Sequence, residues 1–312
     1  MKKTLDEVIA EKFPALDYKE DRARRGHMTL VEETRRQLTE GVCYRECLYT
    51  RGDGEQVAVY LTVIEPDAPA QLAVSASPLR TVKPVREHAR SFETTFGVPV
   101  YFAMNASFFH FFRGGDLTPY GIQVVRGVEM ALPALQDKDS PWYSHNFLAV
   151  DREGKAYVTN SEEYYSSLRG TLSYAVGGGF RLIRDGRICM CHDQQGGEFN
   201  YAPRTVVGFA KDGTTILLCA DGRSKRSGGL CYGDIVEIYL QQGKEIRDVL
   251  NLDGGGSTTV VIREEDGSFA VKNVPSGPKF PVSYRKYGLE RPEPKGDEQE
   301  RSVADSILII PK

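Results

Sequence analysis

No apolar run in this 312-residue chain approaches the length of a transmembrane helix, so a membrane-spanning role is not expected. The charge balance lacks a basic excess: the formal net charge is −3 and the isoelectric point is near 6.0. Nucleic acid and anionic membrane surfaces are therefore not the expected partners, and a small or neutral ligand fits better. The amino terminus lacks a leader's apolar segment, because Asp6, Glu7, Glu11 and Lys12 interrupt it. A cytoplasmic protein is the expectation. On that reading the six cysteines are thiols rather than bridges.

Metal and nucleotide motifs are scarce. The five histidines are scattered and none belongs to an H-E-x-x-H arrangement. Cys189-Met190-Cys191-His192 has no second ligand pair at zinc-like spacing and reads as strand alternation. No Walker lysine follows either glycine triplet, which disfavours a P-loop. Internal repeats are also lacking.

What the chain does have is a carboxylate and three glycines set between strand-like runs. Asn251-Leu252-Asp253-Gly254-Gly255-Gly256-Ser257-Thr258 joins Arg247–Leu250 to a β-branched run ending at Ile262. Successive glycines let the backbone approach a ligand, and their N–H groups can form an anion-binding nest. A plain flexible connection is the alternative. The second triplet, Gly177-Gly178-Gly179, has the same setting between Tyr174–Val176 and Phe180–Ile183.

In chain order, residues 1–40 are charged helix formers divided by Pro14 and Gly26, and read as a helical extension on a main body covering 41–312. Cys43–Thr50 and Val57–Ile64, joined at Arg51-Gly52-Asp53-Gly54, read as a hairpin. Thr81–Phe96 reads as a helix closed by Gly97, and Val98–Met104 as a buried strand delivering Asn105. Strands are expected at Ala202–Phe209 and Thr215–Ala220, and a helix at Tyr232–Gln242. Residues 277–300 read as a surface loop, and Ser306–Ile310 as a strand returning to the sheet. The expected architecture is α+β or mixed α/β: one catalytic domain with a strand-rich central mixed sheet and flanking helices.

Taken together, several motifs resemble the phosphodiester glycosidase family, which has bacterial relatives linked to exopolysaccharides. They are Asn105-Ala106-Ser107-Phe108-Phe109, Gly177-Gly178-Gly179, Pro203-Arg204-Thr205 with Gly208, Asp221-Gly222-Arg223, Asn251 to Thr258, Asn273 with Pro275-Ser276, and Arg301-Ser302-Val303-Ala304. Departures stand at Ala106-Ser107, Phe180, Val274 and Asp305. The resemblance implies a hydrolase that cleaves the glycosidic bond of a sugar 1-phosphodiester, small or part of a glycan, giving free sugar and a phosphate monoester.

Such a leaving group has a second pKa near 6, so holding the phosphate matters more than protonating it strongly. Arg204 and Arg223 suit that task through bidentate contacts, with the N–H groups of Gly254, Gly255 and Gly256 beside them. Asp253 and Asp221 are the candidate carboxylates, since each ends an apolar strand-like run. Asn105 and Asn251 would hold sugar hydroxyls or orient a carboxylate, although turn-capping asparagines look the same. Gly177, Gly178, Gly179, Ser257, Thr258, Asn273 and Arg301 complete the implied substrate site. No cofactor is required on this reading; another has a divalent cation held by Asp221, Asp253 and nearby carbonyls. The competing function is a sugar-phosphate or polysaccharide binding protein without turnover, motivated by Phe180 and Val274. Oligomeric state is not readable from the sequence.

Overall fold

The computed structural model describes residues 18–77, 81–111, 117–133, 145–189, 194–195, 198–277 and 300–312. Three antiparallel sheets dominate it. The largest has eight strands in the order Met28–Thr39, Val42–Arg51, Gln56–Ile64, Thr215–Ala220, Arg204–Ala210, Ile246–Asn251, Arg181–Arg184 and Arg187–Ile188. A five-stranded sheet runs Phe269–Val271, Val260–Arg263, Phe102–Asn105, Asp305–Pro311, Ala70–Ala76. A second five-stranded sheet runs Ala156–Asn160, Asn146–Asp151, Leu172–Gly177, Gln123–Val125, Val128–Ala131.

Two cores explain the continuous apolar runs of the large sheet. On one face Val207, Phe209, Leu217 and Leu250 join Phe102, Met104, Leu148, Val176, Ile307 and Ile309 from the other two sheets. On the other face Val206, Ile216, Leu218 and Val249 pack under Ile235, Val236, Ile238 and Tyr239 of the Tyr232–Leu240 helix. Covering both faces removes the polar half of the usual alternation, so Arg204–Ala210 and Thr215–Ala220 are buried throughout. The helix settles closely because Gly208 has no side chain: a Cβ there would lie 2.3 Å from the Tyr239 ring. Tyr239 donates its hydroxyl to the Ile216 carbonyl at 2.9 Å, which satisfies the one polar atom it buries.

Three expectations change. Every strand pair in the three sheets is antiparallel, so the central sheet is not mixed. Among the described residues of the amino-terminal part, helix is found at Tyr18–Arg25, and Met28–Thr39 is a twelve-residue strand. Its polarity reflects an edge position with little burial rather than a helical surface. The helix expected at Thr81–Phe96 starts at Val85, not Thr81, because Pro84 disfavours helical geometry at the residue before it. Gly97 closes that helix in the left-handed conformation, φ 65°, as its position suggested.

The amino-terminal helix is fastened by charge. Arg25, fully buried, donates to Asp21 at 2.7 Å, Asp234 at 2.9 Å and Glu237 at 2.8 Å. Among the described residues no helix is long and apolar enough to cross a membrane. The 277–300 loop and the Cys189–His192 group fall mostly outside the described residues.

Candidate active site

Antiparallel pairing brings the motif-bearing strand ends to one edge. Arg204 faces Ala220 across the large sheet and Val206 faces Asn251, so Asp221 and the Leu252–Ser257 turn leave neighbouring strands side by side. In the adjoining sheet Met104 faces Val260 and Asn105 faces Ser306. Residues distant in sequence thereby meet around Asp253.

Asn105 is the clasp between the two sheets. Its side-chain amide donates to the Asp253 carbonyl at 2.6 Å, and its oxygen accepts from Thr205 Oγ1 at 2.9 Å and from the Thr259 N–H at 3.1 Å. The Asp253 N–H donates to the Ala106 carbonyl at 2.9 Å, and the Leu252 N–H to Thr205 at 2.9 Å. Backbone contacts on both sides of Asp253 therefore fix where its carboxyl points. Asn105 is buried and occupied in this work, so it shapes the site from behind.

The glycine turn serves two guanidinium groups. Gly255 has φ +62°, and a Cβ there would lie 3.1 Å from the Arg223 guanidinium. A Cβ on Gly256 would lie 2.5 Å from Arg301 Nη2. Bare backbone is what lets both cations lie against the turn. Arg301 also donates to Ser257 Oγ at 3.2 Å. Arg223 has φ 60°, a conformation unusual for a residue with a side chain, and such outliers gather at functional sites. The expected anion nest is largely spent: the Gly254 N–H serves the Asp253 carboxyl and the Gly255 N–H donates to Pro203 at 2.8 Å.

Burial pushes the Asp253 carboxyl up to about 7. Hydrogen bonds from Ser257 and the Gly254 N–H, and the Arg301 charge, pull the other way, while the Asp305 charge adds to the rise. Asp305 was noted in the sequence only as a departure from the family pattern. Here it is fully buried, accepting from the Ser107 N–H at 2.8 Å, from Ser107 Oγ at 2.6 Å and from Gln123. A carboxylate opening the last apolar strand was the available signal, as was the departure at Ala106-Ser107; its partner Gln123 had none.

Other expected site residues take structural positions. Asp221 accepts from Tyr60 at 3.0 Å, Asn273 at 3.0 Å and the Val274 N–H at 3.1 and 3.0 Å, and is almost fully buried. Its carboxyl is raised to about 6 by burial, against the pull of those three donors. A carboxylate so enclosed braces the Asn273 segment instead of facing an opening. Asn273 is used on both sides, its oxygen accepting from the Val260 N–H at 2.8 Å. Arg204 donates to the Leu230 carbonyl at 2.9 Å and the Asn200 carbonyl at 2.6 Å and stacks on Tyr232. That places its guanidinium in a structural joint. Thr258 is buried against Thr205, and Asn251 is buried with no hydrogen-bond donor on its side-chain oxygen among the described residues.

The 177–179 triplet is a packing joint. Added Cβ atoms would meet the Tyr120 carbonyl at 2.1 Å, Leu250 at 2.6 Å and Phe108 at 3.1 Å. Its three N–H groups donate to Ile122, Asn146 and Asn251 carbonyls, leaving none for an anion. Among the described residues no three His, Cys, Asp or Glu side chains gather as a metal site.

Residues 99–310 match the family model for phosphodiester glycosidase. The chain belongs to the phosphodiester glycosidase family. Over 111 residues it is 29% identical to N-acetylglucosamine-1-phosphodiester alpha-N-acetylglucosaminidase of Bos taurus. That match covers 34% of this chain and only 20% of the bovine protein. The fold is similar to the zebrafish catalytic domain of the same name, auto-inhibited by its pro-peptide, with TM-score 0.58, 17% identity, and coverage of 96% of this chain and 94% of that one. A Burkholderia pseudomallei protein is similar at TM-score 0.59 and 12% identity, covering 91% of this chain and 97% of that one. Both structural likenesses concern the fold alone.

Proposed function

We propose that this phosphodiester glycosidase family member hydrolyses the bond between an anomeric carbon and the oxygen of a phosphodiester, releasing free sugar and a phosphate monoester. The observation that carries the reading is the placement of Asp253 beside a glycine turn flanked by Arg223 and Arg301. The two guanidinium groups hold the phosphate and stabilise the charge that develops on it as the bond from C1 to oxygen breaks. Asp253, raised to about 7, is matched to proton transfer at neutral pH. In its ionised form it takes the proton from the water that adds to the anomeric carbon and favours positive charge on the ring. The bridging oxygen leaves with phosphorus, and its low proton affinity spares the site a strong acid. Asp221 and Arg204 hold the walls.

The test is turnover of a panel of sugar 1-phosphodiesters, nucleotide sugars included, by the intact protein and by Asp253→Asn. Free reducing sugar and an intact phosphate monoester are expected from the parent, with a rate about 10²–10⁴ times lower in the variant. Sugar 1-phosphate as the product, or undiminished turnover by Asp253→Asn, would refute the reading.

A further inference from the structure

The amino-terminal edge of the large sheet has a feature unrelated to the candidate site. Met28–Thr39 pairs with Val42–Arg51 on its inner side only, and among the described residues no strand pairs with its outer side. An open edge twelve residues long is normally blunted. Here register shifts at Val31 and Leu38 interrupt the ladder near both ends, leaving a regular stretch from Glu32 to Gln37. Exposed apolar residues adjoin it: Leu30 is 41% and Val31 59% accessible.

The charges of that stretch read Glu32, Glu33, Thr34, Arg35, Arg36. This order is complementary to itself when reversed. Two copies laid antiparallel about a two-fold axis at Thr34 place each Glu33 opposite Arg35 of the other copy, and each Glu32 opposite Arg36. Directly opposed residues share a face of an antiparallel pair, so every charge meets its opposite. A slip of one residue moves the side chains to the other face and keeps only one of the two kinds of Glu–Arg pair, Glu33 with Arg36 or Glu32 with Arg35. Within one chain Arg35 already donates to Glu33 at 2.7 Å and Arg45 to the same carboxylate, so the pairing extends an existing charge row. Arg35 is 65% accessible and supplies the most open cation.

We infer that Met28–Thr39 is a homodimerisation edge, on which a second copy of this chain adds its own Met28–Thr39 strand antiparallel across Thr34. The interface is isologous and closes at two copies, since among the described residues the other end of the sheet is the two-residue strand Arg187–Ile188. A single strand pair buries less than a standard interface, so a dissociation constant of about 10–100 µM is expected.

Sedimentation equilibrium of the full chain from about 5 to 200 µM tests this. A monomer–dimer equilibrium is expected, from 34.8 kDa toward twice that mass. Glu32→Arg with Glu33→Arg, and separately Arg35→Glu with Arg36→Glu, should each weaken association at least tenfold, and an equimolar mixture of the two should pair again. A second probe places the axis: Thr34→Cys should give a reducible covalent dimer under mild oxidation, because opposed Cβ atoms lie about 4.5–5.5 Å apart. Thr29→Cys, far from its own copy in this register, should not exceed the parent. A parent that stays monomeric at 200 µM, a dimer indifferent to both charge reversals, or equal cross-linking at 29 and 34 would overturn the inference.

Discussion

Arg301 donates to Ser257 Oγ at 3.2 Å, and this contact joins the final segment of the chain to the glycine turn that carries Asp253. The same cation lowers the proton affinity of Asp253, while the buried carboxylate of Asp305 raises it. Two residues four positions apart thus push one carboxyl in opposite directions.

That opposition can be read from the pH dependence of turnover. If ionised Asp253 is the active form, kcat/KM rises with pH through its pKa near 7. Arg301→Gln should move this rise to higher pH and lower the plateau by roughly 10²-fold, because a phosphate-binding cation is lost. Asp305→Asn should move the rise to lower pH. Shifts of the same sign in both variants would contradict the electrostatic assignment.

Stability should carry the same signature. Asp253 has a folded pKa raised from 3.8 to about 7, so between those values the folded chain binds more protons than the unfolded one. Stability therefore falls as pH rises through that window and is fully present only below about 4. Asp253→Asn removes the ionising group. In urea titrations its stability should match the parent near pH 4 and exceed it by roughly 1–3 kcal/mol near pH 8.

Asp221 should behave differently although burial raises it too, to about 6. Its two oxygens receive three donors, and an amide in place of the carboxylate turns one acceptor into a donor facing donors. Asp221→Asn should cost about 2–4 kcal/mol and lower the melting temperature. Arg204→Lys should also lose stability, since a point charge cannot span the Leu230 and Asn200 carbonyls and stack on Tyr232. Calorimetry separates these two from Arg223 and Arg301, whose loss should change KM and kcat far more than melting.

The glycine triplets should also part company under substitution. Gly177→Ala sets a methyl 2.1 Å from the backbone carbonyl of Tyr120, which cannot turn aside, so a loss of more than about 3 kcal/mol is expected. Gly254→Ala, against the Pro203 carbonyl at 2.6 Å, should be nearly as costly. Gly255→Ala faces an arginine side chain at 3.1 Å and a positive φ, and should lose about 1–2 kcal/mol while disturbing substrate binding. Thermal melts of the three proteins rank them.

Much of the large sheet, the helix that covers it and one strand of the adjoining sheet were legible in the sequence. The 43–64 hairpin, the Arg204–Ala210 and Thr215–Ala220 strands, the Tyr232–Leu240 helix and the returning Asp305–Pro311 strand all carry strong apolar runs or helical periodicity. Met28–Thr39 did not, because an edge strand with little burial needs no apolar pattern. The turn around Asp253 was visible as a motif, but the enclosure of Asp221 was not. Its donors Tyr60 and Asn273 lie 161 and 52 residues away, and only the pairing of distant strands brings them together. Arg204 misled for a related reason: a guanidinium reads alike in sequence whether it meets a phosphate or two backbone carbonyls. Asp305 was visible as a motif departure, but its effect on Asp253 was not, because that effect acts across two sheets.

The position of bond cleavage is the most direct test of the central claim. Hydrolysis of a sugar 1-phosphodiester in ¹⁸O-labelled water, followed by phosphorus NMR and mass spectrometry of both products, reports which atom the water attacked. The label is expected on the anomeric hydroxyl of the freed sugar, with an unlabelled phosphate monoester. Label on phosphorus would mean that the phosphoester bond breaks, and the roles given to Asp253, Arg223 and Arg301 would be wrong.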